Sequence, residues 1–170
     1  MNPAYFGDSY DLVKRFFCRE LALLGYSVFV DPMLTGTWSV NEKEFYRLIG
    51  AEPVSRGRPI PQRAALFLDP DTGVNNRGGK RHASFDRLVS ESESYRLVFA
   101  FDQSFSRQAK ATDVMVEKLS ALRARSRHGM YYDSHARFVF VAAERPLLHE
   151  LQLHLVSLGL PESRLLTADA

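Results

Sequence analysis

The sequence predicts an α/β fold, a three-layer sandwich with helices on both faces of a mainly parallel sheet. Three observations predict it. The runs YSVFV, AALFL, YRLVFAF and RFVFVAA are short and apolar on both faces, as strands covered on both sides are. The segments between them carry apolar residues at helical spacing. The two kinds alternate along the chain from first to last, the order that parallel strands joined by crossover helices generate.

Residues 9 to 24 place Leu12, Val13, Phe16, Phe17, Leu21 and Leu24 on one helical stripe, and Gly25 is a natural stop. YSVFV follows and ends in Asp31-Pro32. Residues 39 to 50 read as a helix: Ser39 and Glu42 have capping-box spacing, and Gly50 closes the segment. AEPVSRGRPIPQR, residues 51 to 63, is proline-rich and reads as a loop. AALFL is the next buried strand and runs into the turn Asp69-Pro70-Asp71-Thr72-Gly73. NNRGGKRH is a basic, flexible loop, and residues 84 to 92 a short helix. YRLVFAF is a strand ending in Asp102-Gln103-Ser104. Residues 108 to 127 read as a helix with basic residues in its last turn, which suits the negative end of the helix dipole. RFVFVAA is a strand, and YYDSHARFVFVA also fits an antiparallel edge strand. Pro146 opens a last helix through Leu158, which Gly159 stops. The whole is Rossmann-like in the broad sense, with one domain expected over residues 1–170.

Composition narrows the function classes. Of 170 residues, 45% are apolar and 25% charged, with a net charge of +2, so no partner follows from bulk charge. A single cysteine, Cys18, excludes an internal disulfide and any multi-cysteine zinc site. Among apolar helical neighbours it reads as packing. MNPAYFGDSYD has neither a basic nor an apolar leader region, and no run has the ~18 apolar residues of a membrane span, so a cytoplasmic setting is expected.

Three strands end alike, in FVDP, FLDPDTG and FAFDQS. Open parallel sheets bind ligands beyond the carboxyl ends of their strands. If these strands are neighbours, Asp31, Asp69, Asp71 and Asp102 gather on one edge, where crowded carboxylates need a cation or a proton. The plainer reading is that each Asp makes a turn or caps the next helix. Basic residues frame the acids: Arg56, Arg58 and Arg63 before the strand, Arg77, Lys80 and Arg81 after the turn. An acidic centre with a basic rim suits metal-assisted chemistry on a phosphate. Asp8, before the first helix, is either another acid at that rim or an N-cap, and Lys14 lies two turns in. Ser104 follows Asp102. Ser134 and His135 are adjacent and diverge on a strand, so they cannot pair as nucleophile and base; His135 acts alone or is structural. The basic helix end KLSALRARSRH either extends the binding surface or compensates the helix dipole. Gly73 to Gly79 lacks the spacing of a phosphate loop, His149 and His154 face apart on a helix, and no G-x-S-x-G elbow is present.

Three resemblances bear on these residues. The blocks FGDSYD, LFLDPDTG, FDQS and SHA resemble an uncharacterised family of small bacterial proteins, which implies no activity. VDPMLTG followed by FLDPD is similar in outline to class I methyltransferases of nucleic acid, with an acidic-glycine loop after the first strand and an Asp-Pro turn after a later one. That resemblance implies S-adenosylmethionine near Asp31 to Gly36 in a shortened version of the fold. Asp69-x-Asp71-Thr72 resembles the nucleophile motif of haloacid-dehalogenase-type phosphatases, which implies that Asp69 attacks phosphorus and Asp71 serves as acid and base.

The leading expectation is a magnesium- or manganese-dependent phosphoester hydrolase, a nuclease in preference to a small-molecule phosphatase. Asp69, Asp71 and Asp102 would bind the metal, with Asp8 as an addition. Lys14 and the arginines would position phosphate, beside Ser104 and His135. The alternatives are a methyltransferase-like protein and a non-catalytic interaction module.

Overall fold

The computed structural model describes residues 1–38, 42–55, 57–105 and 110–167. Along the chain run α1 (Ser9–Leu23), β1 (Ser27–Asp31), α2 (Glu42–Ile49), β2 (Glu52–Pro53), β3 (Ala64–Leu68), β4 (Gly73–Asn75), β5 (His82–Ser84), α3 (Phe85–Ser94), β6 (Leu97–Phe101), α4 (Ala111–Arg123), β7 (His128–Tyr132), β8 (Phe138–Ala142), α5 (Arg145–Ser157) and β9 (Leu165–Thr167). Seven strands form one sheet in the order β2-β1-β3-β6-β8-β7-β9, and β4 pairs with β5 in a small parallel ribbon. β2, β1, β3 and β6 are mutually parallel. β8 runs antiparallel to both β6 and β7, and β9 antiparallel to β7.

Two cores flank the sheet. Alternate residues of each strand face opposite sides. Phe67, Phe99 and Phe140 pack toward Phe17 and Leu21 of α1, Phe45 of α2 and Leu151 of α5. Leu66, Val98 and Val141 pack toward Leu88 of α3 and Leu119 of α4. The expected α/β three-layer sandwich is the observed fold. β3, β6 and β8 are buried along their whole length, which is why they read as unbroken apolar runs. Among the described residues no helix is long and apolar enough to cross a membrane.

Four readings of the sequence need correction. The antiparallel strand expected at an edge is interior: β8 lies between β6 and β7, and the antiparallel edge strand is β9. β7 arises from residues expected to end or follow the preceding helix, because α4 stops at Arg123 and the chain turns at Ser126, whose φ is +57°. The loop 51–63 contains β2, a two-residue edge strand on β1. The basic loop after Gly73 is held at its ends by β4 and β5. The capping residue expected at Ser39 lies outside the described residues.

Two glycines are fixed by close approach. At Gly73 φ is +108°, and a Cβ there would sit 2.1 Å from Asp102 Oδ1 and 2.6 Å from the Gln103 nitrogen. At Gly129 a Cβ would sit 2.7 Å from Leu119 Cδ2, so its absence lets α4 pack directly on β7.

Candidate functional site

The chain reverses its direction of winding between β1 and β3: from β1 it crosses outward to β2, then back to β3 on the other side. Such a switch point opens a crevice at the carboxyl ends of the strands. The acids expected there do converge on one edge, but not on one point. Asp31 is in register with Leu68, and Leu68 with Ala100. Leu68 and Ala100 belong to the core beneath α3 and α4. Asp69 is one residue past Leu68 and faces α1; Asp102 is two past Ala100 and faces α4.

On the α1 side, Lys14 Nζ donates to Asp11 Oδ1 at 2.8 Å and to Asp69 Oδ2 at 3.0 Å. All three residues are buried. Asp11 and Lys14 open the buried stripe of α1, which continues through Phe17, Cys18 and Leu21. Asp8 caps this helix, its Oδ1 accepting from the Tyr10 and Asp11 nitrogens; Gly7 N donates to Asp11 Oδ2. Burial works against a charge on Lys14, but Asp69 and Asp11 more than offset it and its pKa is raised. Burial likewise raises the pKa of Asp69, against the pull of Lys14. Asp69 Oδ1 is buried without a hydrogen-bond partner. An orphan of this kind is uncommon in a folded interior. Asp69, Lys14 and Asp11 line a cavity of about 170 Å³, with Asp8 and Asp71. Tyr5, Tyr10 and Phe101 supply its aromatic wall. His135 stacks on Tyr10 with ring centroids 5.8 Å apart, and its carbonyl accepts from Gln103 Nε2.

In the crevice itself the loop after β1 meets the turn after β3. Asp69 N donates to Asp31 O at 3.0 Å, and Thr35 Oγ1 donates to Asp71 Oδ2. Met1 fills the space between them. Its amino group donates to Pro32 O at 2.7 Å, Met33 O at 2.9 Å and Asp69 O at 3.1 Å, and lies 3.3 Å from Asp71 Oδ1. Its thioether accepts from Lys14 Nζ at 3.7 Å. Burial works against ionisation of Asp71, but the Thr35 hydrogen bond, the Met1 amino group and Arg81 prevail and lower its pKa. Asp31 turns away to Arg87 of α3 and accepts from Met33 N.

On the α4 side Asp102 is saturated. Its Oδ1 accepts from Val74 N and Ser104 N, and lies 2.6 Å from Ser104 Oγ; its Oδ2 accepts from Lys118 Nζ at 2.6 Å and from Tyr131 OH at 2.7 Å. Ser104 Oγ also reaches Val74 O and Lys118 Nζ. This network ties β4, β6, β7 and α4 together. Burial and then Asp102 raise the pKa of Tyr131, so its hydroxyl remains a donor.

The expected metal set of Asp69, Asp71 and Asp102, with Asp8, is therefore corrected. Side-chain alternation sends Asp69 and Asp102 to opposite faces, Asp102 has no lone pair to spare, and Asp8 is a helix cap. Among the described residues no group of three or more His, Cys, Asp or Glu side chains is placed to hold one ion.

The basic residues also divide. Arg81 reaches Asp71 at 3.5 Å, and Lys80 lines a groove with Arg81, Arg87 and Asp31 beside the crevice. Arg77 is exposed, its backbone nitrogen held by Asn75 Oδ1. Arg63 belongs to the opposite edge: it precedes β3, pairs with Glu150 at 2.7 Å and stacks over Tyr26. Arg58 is exposed in the connection from β2 to β3, and Arg56 lies outside the described residues.

Sequence reading missed three members of these clusters. Asp11 was legible as the partner of Lys14 at i,i+3. Lys118 sits on the buried stripe of α4 between Met115 and Leu122, where a lysine needs a buried acid. Tyr131 carried no signal. No family model, no curated protein and no solved structure matches this chain.

Proposed function

We propose that this chain is a shortened methyltransferase-like protein, with S-adenosylmethionine held at the loop after β1 and an acceptor nucleophile in the cavity at Asp69. One observation carries the reading: the Asp31–Gly36 loop and the Asp69–Thr72 turn meet at the switch point, and together they cradle a methionine. The Pro32 and Met33 carbonyls and Asp71 receive its amino group, and the thioether rests beside Lys14. Of these groups S-adenosylmethionine shares the amino group; its sulfur is a sulfonium cation, which would have to lie away from the Lys14 ammonium. A neighbouring hollow, lined by Val30, Pro32, Leu34, Tyr46 and the carboxylates of Asp31 and Glu42, offers an apolar wall and hydroxyl acceptors of the kind an adenosyl group needs. Met1 occupies the amino-acid position, so binding there requires its displacement.

When bound, S-adenosylmethionine supplies an electrophilic methyl group. The chain's own residues do the rest. Asp69 Oδ1 accepts a hydrogen bond from the N–H or O–H of the acceptor, and its raised pKa improves it as a proton acceptor. Lys14 and Asp11 fix its orientation. Tyr5, Tyr10 and Phe101 hold an apolar ring and exclude water. Lys80 and Arg81 lie beside the crevice, where they suit a phosphate-bearing acceptor such as nucleic acid.

The metal-dependent hydrolase expected from the sequence loses Asp102 and with it the three-acid set on which it rested. Calorimetry and thermal shift separate the two. S-adenosylmethionine should bind and raise Tm, and Asp69→Asn should spare that binding while abolishing methyl transfer to a nucleic-acid acceptor. Stabilisation by magnesium or manganese, with none by S-adenosylmethionine, overturns the reading in favour of the hydrolase.

A further inference from the structure

On the α3 side of the crevice the same strand ends carry an open groove of about 710 Å³. The loop after β1 lines it with Met33, Leu34 and Thr35, and the loop between β4 and β5 lines it with Gly79, Lys80 and Arg81. Thr35 lines this groove and Asp71 lines the Asp69 cavity, so the two hollows adjoin at the hydrogen bond between them. Beyond Gly36 the chain leaves the groove, and Trp38 packs on Phe6 and Phe45 at the α1 and α2 side.

The groove is basic after its ion pairs are counted. Arg87 lines it but is neutralised by Asp31 and Glu91. Lys80 is exposed and, among the described residues, has no acidic partner. Outside the described residues the only acidic side chain in the sequence is Asp169, which follows β9 at the far edge of the sheet. Arg81 is 64% exposed; its Nε lies 3.5 Å from Asp71, a carboxylate that also accepts from Thr35. The backbone that presents these cations is fixed. Thr72 holds the Arg81 carbonyl by its amide at 3.1 Å and its hydroxyl at 2.8 Å. Asn75 Oδ1 accepts from the Arg77 and Gly78 nitrogens. Opposite them Met33 stands at φ +43°, its nitrogen held by Asp31 Oδ1. Backbone strain of this kind gathers at ligand clamps.

We propose that the groove seats single-stranded nucleic acid, with a phosphate on Lys80 and Arg81 and a base carried past the Thr35–Asp71 contact onto Tyr5. Tyr5 stands at the wall of the Asp69 cavity and is 64% exposed, so its ring is open to stacking. A cationic groove along the backbone joined to an aromatic platform for the bases is how single strands are held. A duplex keeps its base faces inside and offers none to Tyr5. The proposal deepens the acceptor reading given above and rests on it for what enters the cavity, but strand binding itself needs no S-adenosylmethionine.

The test is fluorescence anisotropy of the full chain with a short labelled single-stranded DNA, without S-adenosylmethionine. The single strand should bind at least ~ten-fold tighter than its duplex. Lys80→Ala with Arg81→Ala should weaken it at least ~ten-fold and flatten the slope of log affinity against log salt by about one to two. Tyr5→Ala should weaken it with the salt slope unchanged. Arg15→Ala with Arg19→Ala removes the same charge from exposed positions on α1, across the sheet, and should leave affinity as it is. If the Lys80, Arg81 variant is unstable, the single reversal Lys80→Glu repeats the test. Competition by unlabelled single-stranded RNA and DNA assigns the sugar. Absence of binding, equal affinity for the duplex, or equal weakening by the α1 control overturns the proposal. Strand binding with no binding of S-adenosylmethionine supports it and removes methyl transfer, and the reverse result overturns this proposal alone.

Discussion

Asp69 and Asp102 close neighbouring parallel strands, yet their carboxylates stand on opposite faces of the sheet, each against its own buried lysine. Lys14 serves Asp69 and Lys118 serves Asp102. The two pairs look alike in sequence and differ in their surroundings. Asp102 is hydrogen-bonded on both oxygens, whereas Asp69 keeps one buried oxygen without a hydrogen-bond partner.

Removing Lys14 should be severe, because Asp11 and Asp69 would then be buried with no cation between them. Lys14→Met is expected to cost about 3–5 kcal/mol in urea unfolding, the range for breaking one side of a buried pair. The triple variant Lys14→Met, Asp11→Leu, Asp69→Leu should recover much of that loss, since an apolar replacement of the whole cluster leaves no charge stranded.

The Asp102 network should be structural. Asp102→Ala is expected to cost about 3 kcal/mol or more, since it strands Lys118 and the Val74 and Ser104 nitrogens. Tyr131→Phe should cost about 1.5–3 kcal/mol, the worth of one hydrogen bond to a charged group. Neither should change the affinity for S-adenosylmethionine by more than the loss of folded protein explains, which calorimetry on the folded fraction checks.

Stability against pH should separate Asp69 from Asp71. Asp71 has a folded pKa below its ordinary 3.8. Its contribution is therefore present above about pH 4 and lost as the pH falls through the folded value. Asp69 has a folded pKa above 3.8, so its contribution is present below that pH and declines as the pH rises to the folded value. The difference in unfolding free energy between wild type and Asp71→Asn should grow from acid toward neutral pH. The corresponding difference for Asp69→Asn should run the other way. Parallel profiles for the two variants would contradict the assignment.

Gly73→Ala should be costly for two reasons, the left-handed backbone and the collision with Asp102 and Gln103. Gly79 has a φ of +137° and open space around it, so Gly79→Ala isolates the backbone term at about 1 kcal/mol. Gly73→Ala is expected to exceed it by at least ~2 kcal/mol, because the atoms it meets include backbone. Equal midpoints in urea for the two variants would show that β4 can shift away from Asp102.

Much of the fold was legible because burial writes itself into composition. β3, β6 and β8 are apolar on both faces since helices cover both, and β1 is buried on one face; α1, α3 and α5 show their stripes and stops. β2 and β9 left no trace: they are short edge strands that gain their pairing from the sheet and bury little of their own. β7 was obscured by the basic end of α4, since nothing local says where a helix yields to a strand when Gly129 is there to be packed upon. In the site, Asp8, Asp69, Asp71 and Lys14 line one cavity, and His135 stacks on its Tyr10 wall. Asp102 and Arg63 are held elsewhere, each by an opposite charge supplied from a distant segment.

By itself the sequence determined the layers and the strand ends, because alternation of apolar runs with helical stripes and the placing of Asp after each strand are local properties of the chain. Only the tertiary structure decided which acids share a face. That depends on strand register, where a shift of one residue reverses a side chain, and on buried lysines and amides that arrive from elements far away in sequence.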